Sequence, residues 1–396
     1  MAELGIDKFA TTPKNTNKSR KITILSLLRQ RGPMTRAEIA RSSGIAKSSI
    51  SLLVDELLAE GHVHQIRASA DNRSKSVKGR PGDLIEIDPS AGAAIGIEIS
   101  FGKIIGVIGD VSHEVLTSRT LEIDPEMTLK ELLKVCQTLV SELLTSTRIT
   151  PSRILGVGLG INSAIYRDES KVISYSETQW NDFDFGKALS EATGFKVQIE
   201  NSANLAGYAE TIWGTGKVFD NHLYFKFDHG IDGAIVVKQR VVVGSHGAVA
   251  DFGHLILDTN GPMCACGQRG CLTAFAGFQA LVRLASLALG YELKPQTFLE
   301  LLEGGNFICK QLLDDCAKRM GQGIAYLCRV LNPDAVIVGS SCLTMPPDFM
   351  RILTENFHTF ASKQNAHIRI FDGQLGELAT ALGAAAQILN NPLLEV

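Results

Sequence analysis

The chain has 396 residues, 45% hydrophobic and 20% charged, a composition that excludes a disordered or low-complexity protein and fits two or three packed domains. No apolar run is long enough to span a bilayer and the first 20 residues lack a secretory apolar segment, so no membrane partner is expected and the chain reads as cytoplasmic. The net charge is only −3, yet residues 1–87 hold 15 Lys+Arg against 9 Asp+Glu and the remainder 24 against 33, so a polyanion is expected to meet the front alone.

Residues 1–17 are polar and irregular and read as a flexible tail. From Ser19, apolar residues at Ile24, Leu27 and Leu28 follow helical spacing, and Gly32-Pro33 supply the stop. Thr35-Arg36-Ala37-Glu38 is a capping box, in which hydroxyl and carboxylate satisfy the orphan amides of a helix start. That short helix is expected to reach about Ser42 and turn at Gly44. The next, from about Lys47 to Glu60, would bury Ile50, Leu53, Val54, Leu57 and Leu58 on one stripe. This order predicts a helix-turn-helix whose last helix enters the major groove by its N-terminal residues. Lys47 leads that helix, and Ser48, Ser49, Ser51 and Leu52 lie off its buried stripe. Small hydroxyls permit close approach to base edges, and Leu52 suits a thymine methyl. Thr35 and Arg36 complete the expected DNA-contacting set on the helices. The competing reading is a three-helix packing module that touches no DNA.

His62–Ile66 and Asp83–Ile87 read as the strands of a wing around a basic excursion holding Arg67, Arg73, Lys75, Lys78 and Arg80. Gly79-Arg80-Pro81-Gly82 holds an arginine on a stiff tip suited to phosphate or a minor groove, so Arg67, Lys78 and Arg80 are expected DNA contacts. Residues 18–87 are thus expected to form a winged helix-turn-helix.

Beyond it, residues 93–99, 103–108 and 120–123 read as sequential strands, followed by a helix from about Leu129 to Leu144 and an apolar strand at 154–160. A similar hairpin comes at 223–227 and 234–237, with a strand at 240–243, helices at about 276–289, 296–303 and 307–330, and a strand at 335–339. Two such hairpins leading into α/β elements predict two related lobes with a cleft between them. The division expected is 88–198 for the first lobe and 199–377 for the second. The alanine-rich Leu378–Leu389 should be a helix, returning so that 378–396 completes the first lobe.

The densest chemistry lies in the second lobe, where Gly253-His254 is followed by Cys264-Ala265-Cys266-Gly267-Gln268-Arg269-Gly270-Cys271. One imidazole and three thiols make a four-ligand set for zinc, at His254, Cys264, Cys266 and Cys271. The bland alternative is a group of unrelated buried thiols. Three of eight cysteines within eight residues, framed by glycines, favour the metal. A closed set leaves no position for a substrate water, so the zinc is expected to be structural. Cys136, Cys309, Cys316, Cys328 and Cys342 look unpaired, as in a reducing compartment.

This motif, together with Asn201-Ser202-Ala203-Asn204 and Leu331-Asn332-Pro333, resembles the ROK family of repressors, open reading frames and sugar kinases. The resemblance covers about residues 90–390, and with the winged helix in front the whole chain resembles the family's transcriptional-repressor branch. It implies an α/β, two-lobed, actin-like and hexokinase-like (ribonuclease H-like) fold, zinc at the four residues above, a homodimer or homotetramer, and a sugar or sugar-phosphate effector. Trp180-Asn181-Asp182-Phe183-Asp184 resembles a family segment before a first-lobe helix, and His246-Gly247 adjoin the pocket by position alone.

Family kinases carry Asp-x-Gly-Gly-Thr at the first phosphate hairpin. Here the aligned residues are Glu98-Ile99-Ser100-Phe101-Gly102, with a side chain where glycine lets backbone amides reach phosphate. Their second phosphate turn is glycine-rich; here Asp228-His229-Gly230-Ile231-Asp232-Gly233 sets two carboxylates where an anion should lie. The catalytic aspartate, the base for the sugar hydroxyl, aligns with Ser202. No kinase activity and no catalytic residue are expected. The resemblance places effector contacts at Asn201, Asp251, His254 and Thr273. The family usually has Glu at the last-named position and at Asp251, so two hydroxyl-binding carboxylates are altered. That leaves either a different sugar or a relic pocket that binds nothing. The expected function is a regulator of carbohydrate uptake or utilisation genes, a repressor on double-stranded operator DNA relieved by a sugar. A sugar kinase with a DNA-binding head, or an activator of the same build, are the alternatives.

Overall fold

The computed structural model describes residues 17–66, 83–100, 102–124, 127–162, 164–166, 171–173, 184–244, 249–341 and 345–390. Arg67, Arg73, Lys75, Lys78 and Arg80 of the expected wing lie outside the described residues, as do Phe101, residues 180–183, His246, Gly247 and Cys342.

The head comprises α1 (Asn17–Arg31), β1 (Met34–Thr35), α2 (Arg36–Ser43), α3 (Lys47–Ala59), β2 (Val63–Ile66) and β3 (Leu84–Ile87). The strand β3 lies between β1 and β2 and is antiparallel to both. The capping box forms: the Thr35 hydroxyl accepts from the Glu38 amide at 3.3 Å, and the Glu38 carboxylate accepts from the Thr35 amide at 2.8 Å. The start of α3, at Ala46, has no side-chain cap. A missing cap costs about 1 kcal/mol. Ile50, Leu53, Val54 and Leu57 are buried on that helix, each worth about 1.5–3 kcal/mol, so packing decides its stability.

The first lobe is built on β4 (Ala93–Ser100), β5 (Lys103–Asp110), β6 (Val115–Glu122), α4 (Leu129–Thr145), β7 (Ile154–Ile161), the hairpin β8 (Ala164–Tyr166) and β9 (Lys171–Ile173), α5 (Phe185–Thr193) and β10 (Val197–Asn201). A helix, α6 (Ser202–Ile212), leads to the second lobe: β11 (His222–Phe227), β12 (Ile231–Val237), β13 (Arg240–Val242), α7 (Leu272–Ala276), α8 (Phe278–Leu289), α9 (Pro295–Glu303), α10 (Phe307–Leu331), β14 (Ala335–Ser340), α11 (Pro347–Phe360) and β15 (Arg369–Asp372). The last helix, α12 (Ala379–Leu389), returns to the first lobe.

The two large sheets repeat one topology. The first runs β6-β5-β4-β7-β10 and the second β13-β12-β11-β14-β15. In each, three antiparallel strands are followed by two added in parallel. The composition of α12 follows from its place against the first sheet. A Cβ on Gly96 of β4 would meet the Ala381 carbonyl at 1.9 Å, and one on Gly158 of β7 the Ala384 carbonyl at 2.0 Å. Only glycine on the sheet and alanine on the helix allow that approach.

The structure moves some expected boundaries. The third strand begins at Val115, and the helix expected over about 276–289 forms as α8 from Phe278, with a separate short helix, α7, before Gly277. At the last strand of the first sheet, β10 runs to Asn201, which places that residue on the rim of the first lobe.

Candidate functional site

The metal motif folds on itself through two short bridges, Ile256 with Cys271 and Met263 with Arg269. Gly270 has a φ of +75°, and a Cβ there would lie 1.6 Å from the Asp258 carbonyl, so both conformation and space require glycine. This turn gathers one ligand atom from each of His254, Cys264, Cys266 and Cys271 within 4.8 Å of one another. Cys264 Sγ is 3.5 Å from His254 Nδ1, and Cys266 Sγ is 3.7 Å from Cys271 Sγ. Tetrahedral bonds of zinc length would set sulfur and nitrogen roughly 3.5 Å apart and two sulfurs roughly 3.8 Å apart. The four side chains therefore fit a tetrahedral metal ion. With Nδ1 turned to the thiols, the other edge of the imidazole faces Asp251, whose Oδ1 lies 3.9 Å from His254 Nε2.

Asn201 ends β10 and caps α6. Its Oδ1 accepts from the amides of Ala203 and Asn204 at 2.8 and 3.1 Å. Its Nδ2 donates to Asp232 Oδ2 at 2.9 Å, a bond from the first lobe to β12 of the second. Asp232 Oδ1 accepts from the Gly233 amide at 2.8 Å. Burial pushes the Asp232 carboxyl up to about 6; Asn201 and the Gly233 amide oppose the rise, and the Asp251 carboxylate adds to it. Burial raises Asp251 as well, against the pull of His254. Thr273, expected to face the effector, accepts from the Ile231 amide at 3.0 Å and so braces the turn before β12. Ser202 and Asn204 are buried in the first turn of α6, and Ser202 Oγ and Asn204 Oδ1 have no hydrogen-bond partner among the described residues.

The region aligned with the kinase phosphate seat holds a buried ion triad. Lys226 Nζ on β11 is 2.6 Å from Glu98 Oε1 on β4 and 3.3 Å from Asp228 Oδ2. Asp228 also accepts from Ser341 Oγ at 2.6 Å and, at its other oxygen, from the His229 amide at 2.9 Å. Burial alone would lower the Lys226 ammonium, but Glu98 and Asp228 outweigh it and hold it above its ordinary value. Burial would likewise raise Asp228, and Lys226 and Ser341 keep it below its ordinary value. Of the two carboxylates expected where an anion should lie, Asp228 has its charge met by Lys226. Sequence reasoning missed that lysine, although it stands alone among apolar residues in Leu223-Tyr224-Phe225-Lys226-Phe227.

On the head, Lys47, Ser48 and Leu52 are exposed along α3, Leu52 at 59%, while Ser49 and Ser51 are half-buried. The Thr35 hydroxyl is engaged by its cap. Arg36 is turned back on α3, with Nη2 2.7 Å from Asp55 Oδ1 and Nη1 donating to the Ser51 carbonyl at 3.1 Å. Head and body meet at Arg29 of α1. Its guanidinium donates to the Val111 carbonyl at 2.8 Å, Asn390 Oδ1 at 2.7 Å and the Leu389 carbonyl at 2.9 Å. Asn390 in turn donates to the Tyr208 hydroxyl on α6. The helix that Asn201 caps thus reaches the group that fastens the head.

The model of the ROK family matches residues 94–391. The chain belongs to the ROK family. Residues 19–75 match the MarR family, so a winged helix-turn-helix of that kind precedes the ROK domain. The chain is 24% identical over 377 residues to the xylose repressor of Bacillus subtilis (strain 168), covering 94% of this chain and 95% of that one. It is 23% identical over 387 residues to the DNA-binding transcriptional repressor Mlc of Escherichia coli (strain K12), covering 91% of each. A solved ROK family transcriptional regulator, a homologue of E. coli Mlc, superposes with a TM-score of 0.76 at 20% identity over 95% of this chain and 97% of that one. No helix among the described residues is long and apolar enough to cross a membrane.

Proposed function

We propose that this ROK protein is a sugar-responsive repressor of carbohydrate uptake or utilisation genes, acting in the cytoplasm as a homodimer or homotetramer on double-stranded operator DNA, without kinase activity. One observation carries the reading of lost kinase activity: the ammonium of Lys226 is buried between Glu98 and Asp228, one from each stretch aligned with a kinase phosphate turn. Ser202 at the place of the base points the same way, since a hydroxyl without an activator does not take a proton near neutral pH. Residues 18–87 would then read the operator, with Lys47, Ser48, Ser49, Ser51 and Leu52 facing bases and Arg67, Lys78 and Arg80 the backbone or minor groove. The two lobes would be those expected from the sequence, 88–198 with 378–396 and 199–377, with the boundary moved past Asn201 because β10 ends there. The names of the repressor relatives support this assignment.

Zinc is the metal proposed for His254, Cys264, Cys266 and Cys271, where it would order the loop and set the His254 ring against the pocket. Sugar between the lobes, at Asn201, Asp251, His254 and Thr273, would favour one lobe arrangement. Movement of α6 would pass through Tyr208 and Asn390 to Arg29 and the head. This is a shift between two populations, and it requires different sugar affinities in the two.

The test is fluorescence anisotropy of the full chain on DNA from upstream of its own gene, with and without D-xylose, beside a coupled ADP-release assay on a sugar panel. Tight binding to that DNA with no ADP release is the expected result. Turnover of ATP with any sugar, or affinity no better than for random duplex, would overturn the reading.

A further inference from the structure

We infer that Asp232 is the carboxylate that recognises the effector, and that it selects an unphosphorylated sugar presenting two adjacent hydroxyls. This rests on the effector-pocket reading above and adds the residue and the ligand class.

The first argument is position. Asp232 lies in the stretch aligned with a phosphate-binding turn, yet its side chain is hydrogen-bonded to Asn201, the residue that caps α6 at the rim of the first lobe. It also feels the charge of Asp251, which neighbours His254. Asp232 therefore belongs with the expected sugar contacts and not with a phosphate seat, which Glu98, Lys226 and Asp228 already fill.

The second argument counts acceptors. A carboxylate offers about four lone-pair sites on two oxygens. Gly233 occupies one site on Oδ1 and Asn201 one on Oδ2. One further site remains on each oxygen, the arrangement that accepts two neighbouring hydroxyl donors. Ser202 Oγ and Asn204 Oδ1, on residues 1% exposed in the turn that Asn201 caps, have no partner among the described residues. Buried polar atoms are rarely left so, and a bound polyol offers donors and acceptors to both kinds. The carboxylate is also a replacement. Asp251 is shorter than the usual Glu, and Thr273, which accepts from the Ile231 amide, brings no carboxylate.

The third argument is charge. The inner cleft brings the carboxylates of Glu98, Asp228, Asp232 and Asp251 together with one ammonium, Lys226. Lys103, at the same end, is held by Glu377 and the Ser341 carbonyl. A phosphate dianion would meet an excess of negative charge in a partly desolvated site, whereas neutral hydroxyls can donate to those carboxylates.

Isothermal titration calorimetry on the zinc-loaded full chain tests this, with D-xylose, L-arabinose, D-glucose, D-mannose, D-galactose and D-fructose as probes beside glucose 6-phosphate, mannose 6-phosphate and fructose 6-phosphate. Wild type should bind one neutral sugar at least about tenfold more tightly than any sugar phosphate, and Asp232→Asn should weaken that sugar by about tenfold or more. Asp232→Gly should weaken it likewise, and both variants should keep one cooperative unfolding transition. Wild-type affinity in both variants, or a sugar phosphate bound more tightly than its parent, would overturn the inference while leaving an effector pocket in place. Failure of every probe to bind wild type would instead remove the pocket reading itself.

Discussion

Lys226 on the second lobe lies 2.6 Å from Glu98 on the first, with side chains only 5% and 1% exposed. A second contact, Lys226 to Asp228 at 3.3 Å, makes the lysine the hub of a bridge across the cleft. Such a pair adds little over an apolar replacement, but it is costly to break from one side, because the charge left behind is stranded.

Lys226→Met should therefore destabilise the chain by about 3–5 kcal/mol, leaving Glu98 and Asp228 facing one another unpaired. Adding Glu98→Gln removes one of those charges and should recover part of the loss. Urea denaturation of both variants checks it. A single variant as stable as wild type would show that the bridge is absent in solution.

The metal loop gives a sharper outcome. Cys266→Ala removes one of four ligand atoms that lie within 4.8 Å of one another, and the purified protein should lack the zinc proposed for that site, as read by atomic absorption. Because the loop's conformation depends on those ligands, unfolding temperature and DNA affinity should both fall. Gly270→Ala should do the same without touching a ligand, since its Cβ would lie 1.6 Å from the Asp258 carbonyl. Full DNA affinity in verified zinc-free protein would refute the structural role.

Arg29 joins the head to the body through three hydrogen bonds, to Val111, Leu389 and Asn390. Each bond from a charged donor is worth about 1.5–3 kcal/mol, and the carbonyls it leaves are partly buried. Arg29→Met should loosen the junction, so that calorimetry resolves the head melting ahead of the lobes. DNA binding should persist while its response to sugar weakens. An unchanged single transition with an unchanged sugar response would exclude Arg29 as the joint.

Much of this was legible in the sequence where periodicity or chemistry is local. The capping box at Thr35 and Glu38, the α3 stripe from Ile50 to Leu57 and the His254–Cys271 cluster are all short-range patterns, and each forms. The rest is long-range. All but one of the α6 residues are buried, so no polar face marks it as a helix. Exposure along β6, a sheet edge, does not alternate, so periodicity marks its start five residues late. Lys226 could not be paired from sequence, since Glu98 is 128 residues away. From sequence Asp232 is only an obstacle to phosphate, because its bond to Asn201 crosses the lobes.

His222 makes stability depend on pH. It is 0% exposed, and burial pushes it from 6.5 down to about 4. With the folded value below the unfolded one, neither state is charged above pH 6.5 and there is no cost. Below that, the unfolded chain takes up a proton the folded chain refuses, so stability falls as pH drops through 6.5 and levels off near 4. The full effect is about 3 kcal/mol. Asp232 works the opposite way between about 6 and 3.8, its folded value being raised, so the comparison must be with a variant. The stability of His222→Gln should gain on wild type by about 3 kcal/mol between pH 7 and pH 4 in urea titrations. A difference that does not change with pH would mean that His222 is hydrated.

Leu52 and Lys47 should separate base reading from phosphate attraction on one helix. Leu52 is 59% exposed on α3, where a large apolar side chain gains nothing from the fold, and Lys47 is exposed at its first turn. Leu52→Ala should cost about 1–2 kcal/mol on the best DNA site, less on sites with its thymine replaced, and leave the salt dependence unchanged. Lys47→Ala should weaken all duplexes alike and reduce the slope of log affinity against log salt by about 1. Neither change removes a buried contact, so thermal stability should stay within about 0.5 kcal/mol of wild type. Anisotropy titrations at several salt concentrations read both effects. If Leu52→Ala binds every duplex as wild type does, α3 does not enter the groove by this face, and base reading by Leu52 is excluded.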